Sequence, residues 1–167
     1  PPSVAPPDEA KARELEHPPA ESNDKDVDNA VYGELGGPAI LWSLNYERRL
    51  GDTFALGIGA TYYGLNIGST SASLVLIPIH VSALLWGRSS SHLEFSAGGV
   101  PGLGSTKTSA GSSSGFAFVP TAGMGYRYQA RDGGFFFRAH LHVLFALEGI
   151  FDTPVVPIPS LSFGSSF

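Results

Sequence analysis

The sequence predicts an all-β fold: an eight-stranded antiparallel up-and-down barrel behind an acidic, proline-rich N-terminal tail. Three observations predict it. Apolar residues alternate with small or polar ones at period two from residue 30 to the C-terminus, the repeat of a strand and not of a helix. Turn-forming clusters cut that alternation into eight segments. Charge is almost absent from the alternating region. The 167-residue chain has 15 acids and 10 bases. Eight of those acids and three of the bases lie in residues 1–29, which leaves seven of each for residues 30–167. A water-soluble surface usually carries about 25–35% charged residues, and one charge in about ten falls well short of that. No apolar run reaches the about 18 residues of a membrane-spanning helix. A neutral body with no basic stripe also excludes a nucleic-acid binder, whose affinity comes largely from phosphate neutralisation. The absence of cysteine excludes disulfides and thiol chemistry.

Residues 1–29 are expected to form a disordered segment, with Pro1-Pro2, Pro6-Pro7 and Pro18-Pro19 bracketing a stretch too short to hold a helix alone. The strands are expected at approximately 30–37, 39–49, 54–66, 73–87, 92–102, 116–129, 135–148 and 155–167. The second sets Trp42, Leu44 and Tyr46 against Ser43, Asn45 and Glu47. The third sets Phe54, Leu56, Ile58, Ala60 and Tyr62 against Ala55, Gly57, Gly59 and Thr61. The fourth opposes Val75 to Leu85 on one parity to a set containing His80 and Ser82. The sixth opposes Phe118, Met124, Tyr126 and Tyr128 to Gly123, Gly125, Arg127 and Gln129. The seventh opposes Phe135, Phe137, Leu141 and Phe145 to Phe136, Arg138, His140 and His142. The eighth opposes Leu161, Phe163 and Phe167 to Ser160, Ser162, Gly164 and Ser166. Tight polar turns at 50–53, 87–91 and 130–134 alternate with longer links, and Gly102–Gly115 reads as a flexible loop. The connection at Gly36-Gly37-Pro38 is shorter than the other links on its rim. Pro78, Pro120, Pro157 and Pro159 fall inside strand patterns, where each removes a ladder donor.

Parity alone does not say which face points inward, so composition decides. An apolar interior would crowd a narrow eight-stranded lumen with aromatic rings and leave Gly, Ala, Ser and Thr facing water. An apolar exterior in lipid satisfies both faces, closes every backbone hydrogen bond inside hydrocarbon, and places Tyr46, Tyr126, Tyr128, Phe135 and Phe167 as an interfacial girdle.

The segments Ile40–Leu50, Phe118–Gln129, Gly133–Ala139 and Ile158–Phe167 resemble the small outer-membrane β-barrel proteins of Bacteroidota-type and related Gram-negative bacteria. The resemblance covers residues 30–167. It implies the fold, an outer-membrane location and contact with outer-membrane lipid, and it implies no activity. A final strand ending in Phe167, with Leu161 and Phe163 on the same parity, resembles the signal read by the barrel-assembly machinery, although Ser165 stands where such signals usually carry a hydrophobic residue.

With the apolar face in lipid, Glu34, Asn45, Glu47, His80, Glu94, Arg127, Arg138, His140 and His142 point inward. They are expected to form a polar side-chain network that fills the lumen, because an unpaired buried charge is costly. His140 and His142 have a usable metal-ligand spacing, but inward histidines more often join a hydrogen-bond network, and neither a metal nor a cofactor is expected. His80, Ser82 and Glu94 are similar in spacing to the catalytic set of outer-membrane lipid A deacylases. Their inward parity argues against a lipid substrate, so lipid modification stands as the alternative and a narrow channel comes third. The expected role is structural: a barrel in the outer membrane with both termini in the periplasm, serving as component or anchor of an envelope complex with a protein partner.

Overall fold

Every strand of the computed structural model has a hydrogen-bonded neighbour on each side, so the sheet closes on itself. The structure describes residues 27–88, 90–145 and 155–167. The strands are β1 (Asn29–Gly36), β2 (Trp42–Leu50), β3 (Phe54–Ile67), β4 (Thr70–Leu76), β5 (Ile79–Arg88), β6 (Ser91–Thr108), β7 (Gly111–Gln129), β8 (Gly134–Phe145) and β9 (Val155–Ser166). All pairings are antiparallel, and β1 closes the ring against β9.

β4 and β5 are two halves of one wall strand. Their registers against β3 (Thr61↔Leu76, Ile58↔Ile79) and against β6 (Leu76↔Gly102, Ile79↔Gly99) run through without a slip. The interruption falls at Ile77-Pro78, where proline has no N–H to give the ladder. Its carbonyl still accepts from Gly59 at 2.7 Å. The barrel therefore has eight staves. Pro120, Pro157 and Pro159 sit within continuous pairings and cause no register shift. Among the described residues, the register shifts instead between Leu85 and Gly87, where Trp86 bulges out at φ 36°.

Three expectations about connections are corrected. Gly102–Gly115 is not a loop: β6 and β7 stay paired up to Thr108↔Gly111, so the link is a two-residue turn on a long hairpin. Gly and Ser carry no apolar pattern, and their pairing is dictated by the neighbouring strand. The link expected between residues 66 and 73 is likewise a tight turn at Gly68-Ser69. The connection after β1 is not the shortest link on its rim: it runs from Gly37 to Leu41, longer than both of those turns, and contains a buried 3-10 turn, Gly37–Ala39, folded against the barrel end. Gly36 and Gly37 enter it at φ 77° and 72°, which glycine alone adopts without strain. Tyr63 ties it down, its hydroxyl donating to the Ala39 carbonyl and accepting from the Leu41 N–H at 3.1 Å. Most of the expected N-terminal tail lies outside the described residues, as does the end of the seventh expected strand, 146–148. Val27 and Asp28 already belong to the barrel rim, the Asp28 carbonyl accepting from the Arg49 N–H at 2.6 Å.

Candidate functional site: the charged lumen

The bulky parity of each strand points away from the lumen. Leu44, Leu56, Ile58, Val81, Phe118, Met124, Leu141, Leu161 and Phe163 are each between 46% and 59% exposed around the outside. The inner parity is largely buried and, around Glu34, Glu47, Glu94, Arg127 and Arg138, largely polar. Tyr46, Tyr126, Phe135 and Phe167 lie exposed toward the rim where Asn29 and Phe167 pair. There the Tyr46 hydroxyl donates to Asn29 at 2.7 Å, and the Tyr126 hydroxyl pairs with Ser91 at 2.8 Å.

Glu34, Asn45, Glu47, Glu94, Arg127, Arg138, His140 and His142 are buried on the inner face, and His80 is nearly so. The charged members converge. β-register puts Arg138, Ser162 and Glu34 in one row across β8, β9 and β1. Because Ser162 is small, the guanidinium passes over it and reaches Glu34 Oε1 at 3.1 Å, and the serine hydroxyl donates to the same oxygen at 3.4 Å. Arg127 forms a close ion pair with Glu47 and donates to Gln129 at 2.6 Å. Glu47 also lies 3.5 Å from Arg138, and Glu94 lies 3.2 Å from Arg138 and 3.9 Å from Arg127. Each of these two carboxylates thus bridges both guanidiniums. His80 Nε2 faces Glu47 at 3.2 Å, and His142 Nε2 faces Glu34 at 3.4 Å. Asn45 stands apart from the ions and donates to Ser43 at 2.9 Å.

Glycines make this crowding possible. The His80 ring lies where a Cβ on Gly57 would be, and the His140 ring fills the space beside Gly123 and Gly125. An aromatic layer that sequence reasoning missed completes the plug. Tyr32 and Phe136 stack with centroids 4.8 Å apart, Arg138 lies 4.8 Å over the Tyr32 ring, and Arg127 lies 4.9 Å over the Phe136 ring. The available signal was parity: Tyr32 falls two residues before Glu34, and Phe136 two before Arg138.

The structure does not assemble a serine nucleophile with a histidine base. Ser82 is fully buried and donates to Glu94 at 2.6 Å, whereas His80 is engaged with Glu47. A serine hydroxyl hydrogen-bonded straight to a carboxylate has no imidazole to take its proton, so this set lacks the relay that nucleophilic catalysis needs. His140 and His142 stack with centroids 4.4 Å apart, and among the described residues no group of three histidine, cysteine or acidic side chains converges as a metal cage.

With the closed, charge-filled barrel in view, the structural likeness is clear. The fold is that of outer-membrane barrel proteins. The chain superposes on the N-terminal β-barrel domain of Pseudomonas aeruginosa OprF with a TM-score of 0.61 at 18% identity, covering 84% of this chain and 96% of that one. Neisserial surface protein A matches with a TM-score of 0.52 at 14% identity, over 83% of this chain and 93% of that one. Ail, the attachment invasion locus protein of Yersinia pestis, matches with a TM-score of 0.52 at 10% identity, over 83% and 93%. No protein-family model matches the sequence, and no curated protein matches it.

Proposed function

We propose that this chain is a non-conducting barrel in the outer membrane of a Gram-negative bacterium, of the small Bacteroidota-type kind, serving as component or anchor of an envelope complex. The observation that carries the reading is the ion network. Arg127 and Arg138 are each 1% exposed and, with Glu34, Glu47 and Glu94, link β1, β2, β6, β7 and β8 across the lumen. Eight staves enclose little more than side-chain volume, and here that volume is occupied by paired charges. A plugged barrel offers the cell its membrane anchorage and its rims. Asn29 and Phe167 pair at one rim, which this reading places in the periplasm, so on this reading residues 1–29 serve there as an acidic contact for a protein partner. Leu161, Phe163 and Phe167 face outward on the final strand, where the barrel-assembly machinery would read them during insertion.

Affinity capture of the full chain from gently solubilised outer membranes tests the reading. A stoichiometric partner that is lost on deletion of residues 1–29 is the expected result. Recovery of the barrel alone, from membranes where it is abundant, overturns it.

A further inference from the structure

Two histidines of the plug take no part in its guanidinium–carboxylate pairs. His140 and His142 lie two apart on β8, so both rings enter the lumen from the same face of one strand. They are 4% and 5% exposed. Among the described residues, neither ring nitrogen of His140 has a hydrogen-bond partner. A buried polar group without a partner is rare in a folded protein, and it costs stability unless a water or an ion meets it. The His140 ring is also fixed in place. It fills the space beside Gly123 and Gly125 of the paired strand, where a larger residue would displace it.

The two rings have their centres 4.4 Å apart, with 44° between their planes. A first-row metal holds an imidazole nitrogen at about 2.0–2.1 Å, which puts the ring centre about 3.2 Å from the ion. Rings 4.4 Å apart then subtend roughly 90° at the ion, whereas a tetrahedral site would part them by about 5.2 Å. The narrower angle is that of neighbouring ligands in a tetragonal site, the arrangement of divalent copper with nitrogen and oxygen donors. Oxygen is at hand. Ser160 is buried and stands in register with His140, and Glu34 Oε1 lies 3.4 Å from His142 Nε2. Charge favours a cation as well. In the ion network Glu34, Glu47 and Glu94 outnumber Arg127 and Arg138 by one, and a buried charge in excess is costly until something offsets it.

We propose that His140 and His142 chelate one divalent copper ion inside the barrel. The imidazoles supply two adjacent nitrogens, and Ser160 and water complete the set with oxygen. Among the described residues no group of three histidine, cysteine or acidic side chains converges, so the site is not the closed cage of a structural zinc. Glu34 acts as the counter-charge next to the pair, positioned by Arg138 at 3.1 Å and by the Ser162 hydroxyl at 3.4 Å.

The full chain is folded into lipid vesicles with an equimolar amount of Cu²⁺ and passed over a chelating resin, which removes metal held outside the barrel. About one copper per chain should remain, with the electron paramagnetic resonance spectrum of tetragonal Cu²⁺ split by two nitrogens. His140→Gln and His142→Gln should each lower the retained copper by at least the roughly tenfold that disturbing a metal site's outer partners costs. His17→Gln, His80→Gln and His92→Gln, made singly, should leave both the amount and the splitting unchanged. Gel mobility without boiling checks that each variant folds. Where His140→Gln or His142→Gln does not fold, the wild-type splitting decides. Copper that the resin strips from the wild type would mean that water alone meets the His140 ring, and would overturn the proposal. So would a spectrum without splitting from two nitrogens, or copper that a folded His140→Gln or His142→Gln protein retains in full.

Discussion

Arg127 and Arg138 stand directly opposite one another on adjacent strands, both on the inner face and both buried. Like charges at such positions repel and destabilise a sheet. They coexist because Glu47 and Glu94 each reach both guanidiniums, and because Arg138 is also drawn across β9 to Glu34. The pair makes the carboxylates structural requirements.

Glu47→Leu should therefore cost about 3–5 kcal/mol of stability, the usual penalty for orphaning a buried charge. The double change Glu47→Leu with Arg127→Leu should recover part of that loss, because it removes the uncompensated partner. Urea titration of folding into lipid vesicles measures both. An additive double variant would mean that the two side chains are not coupled.

The aromatic layer gives a prediction of opposite sign at neighbouring residues. Phe136→Ala should cost about 3–5 kcal/mol, since it empties a fully buried site beneath Arg127. Tyr32→Phe should leave stability unchanged or raise it by about 1 kcal/mol, because the buried hydroxyl makes no hydrogen bond among the described residues. The same vesicle titration reads the difference.

Ser82→Ala removes the donor to Glu94 and should cost about 1.5–3 kcal/mol, as expected for a hydrogen bond to a charged group. Mass spectrometry of lipid A from cells carrying the variant should show the same acyl chains as wild type. Acyl chains that differ from wild type, and match those of a deletion strain, would revive a catalytic reading of Ser82, His80 and Glu94.

The alternation of Phe54 to Tyr62, or of Phe135 to Phe145, makes the strands and the identity of the inner face legible, because a strand must send neighbours to opposite sides. Turn chemistry marks the ends at Gly51-Asp52 and Asp132-Gly133. Where side chains are small the signal disappears: Gly102–Gly115 reads as a loop because its pairing belongs to the facing strand and not to its own residues. The single stave through Pro78 is visible only once the registers on both sides are known. Which inner charge meets which is set by barrel closure, which brings Arg127 and Glu47 together from 80 residues apart. The apolar end of the lumen escapes sequence reading for the same reason, since its described lining comes from β3, β4, β6, β7 and β8 and from the turn after β1.

Position within the bilayer should govern tolerance of charge on the outer face. Ile58→Arg, on the outer face beside Tyr46 and Ile79, should cost about 2–4 kcal/mol, as arginine does near the bilayer midplane. Ser114→Arg, on the long β6–β7 hairpin, should cost less than about 1 kcal/mol. Vesicle folding titrations compare them directly, and equal penalties would contradict a membrane band that ends short of that hairpin's tip.

The native chain has no cysteine, so single cysteines bearing a nitroxide can be placed one at a time on β3 at Ala55, Leu56, Ile58, Ala60 and Thr61 in lipid vesicles. Collision with dissolved oxygen, which concentrates in hydrocarbon, should rise at 56, 58 and 60 and fall at 55 and 61. The reverse alternation, or oxygen access that is flat along the strand, would mean that the bulky side chains do not face lipid, and the account of a charge-filled membrane barrel would fail.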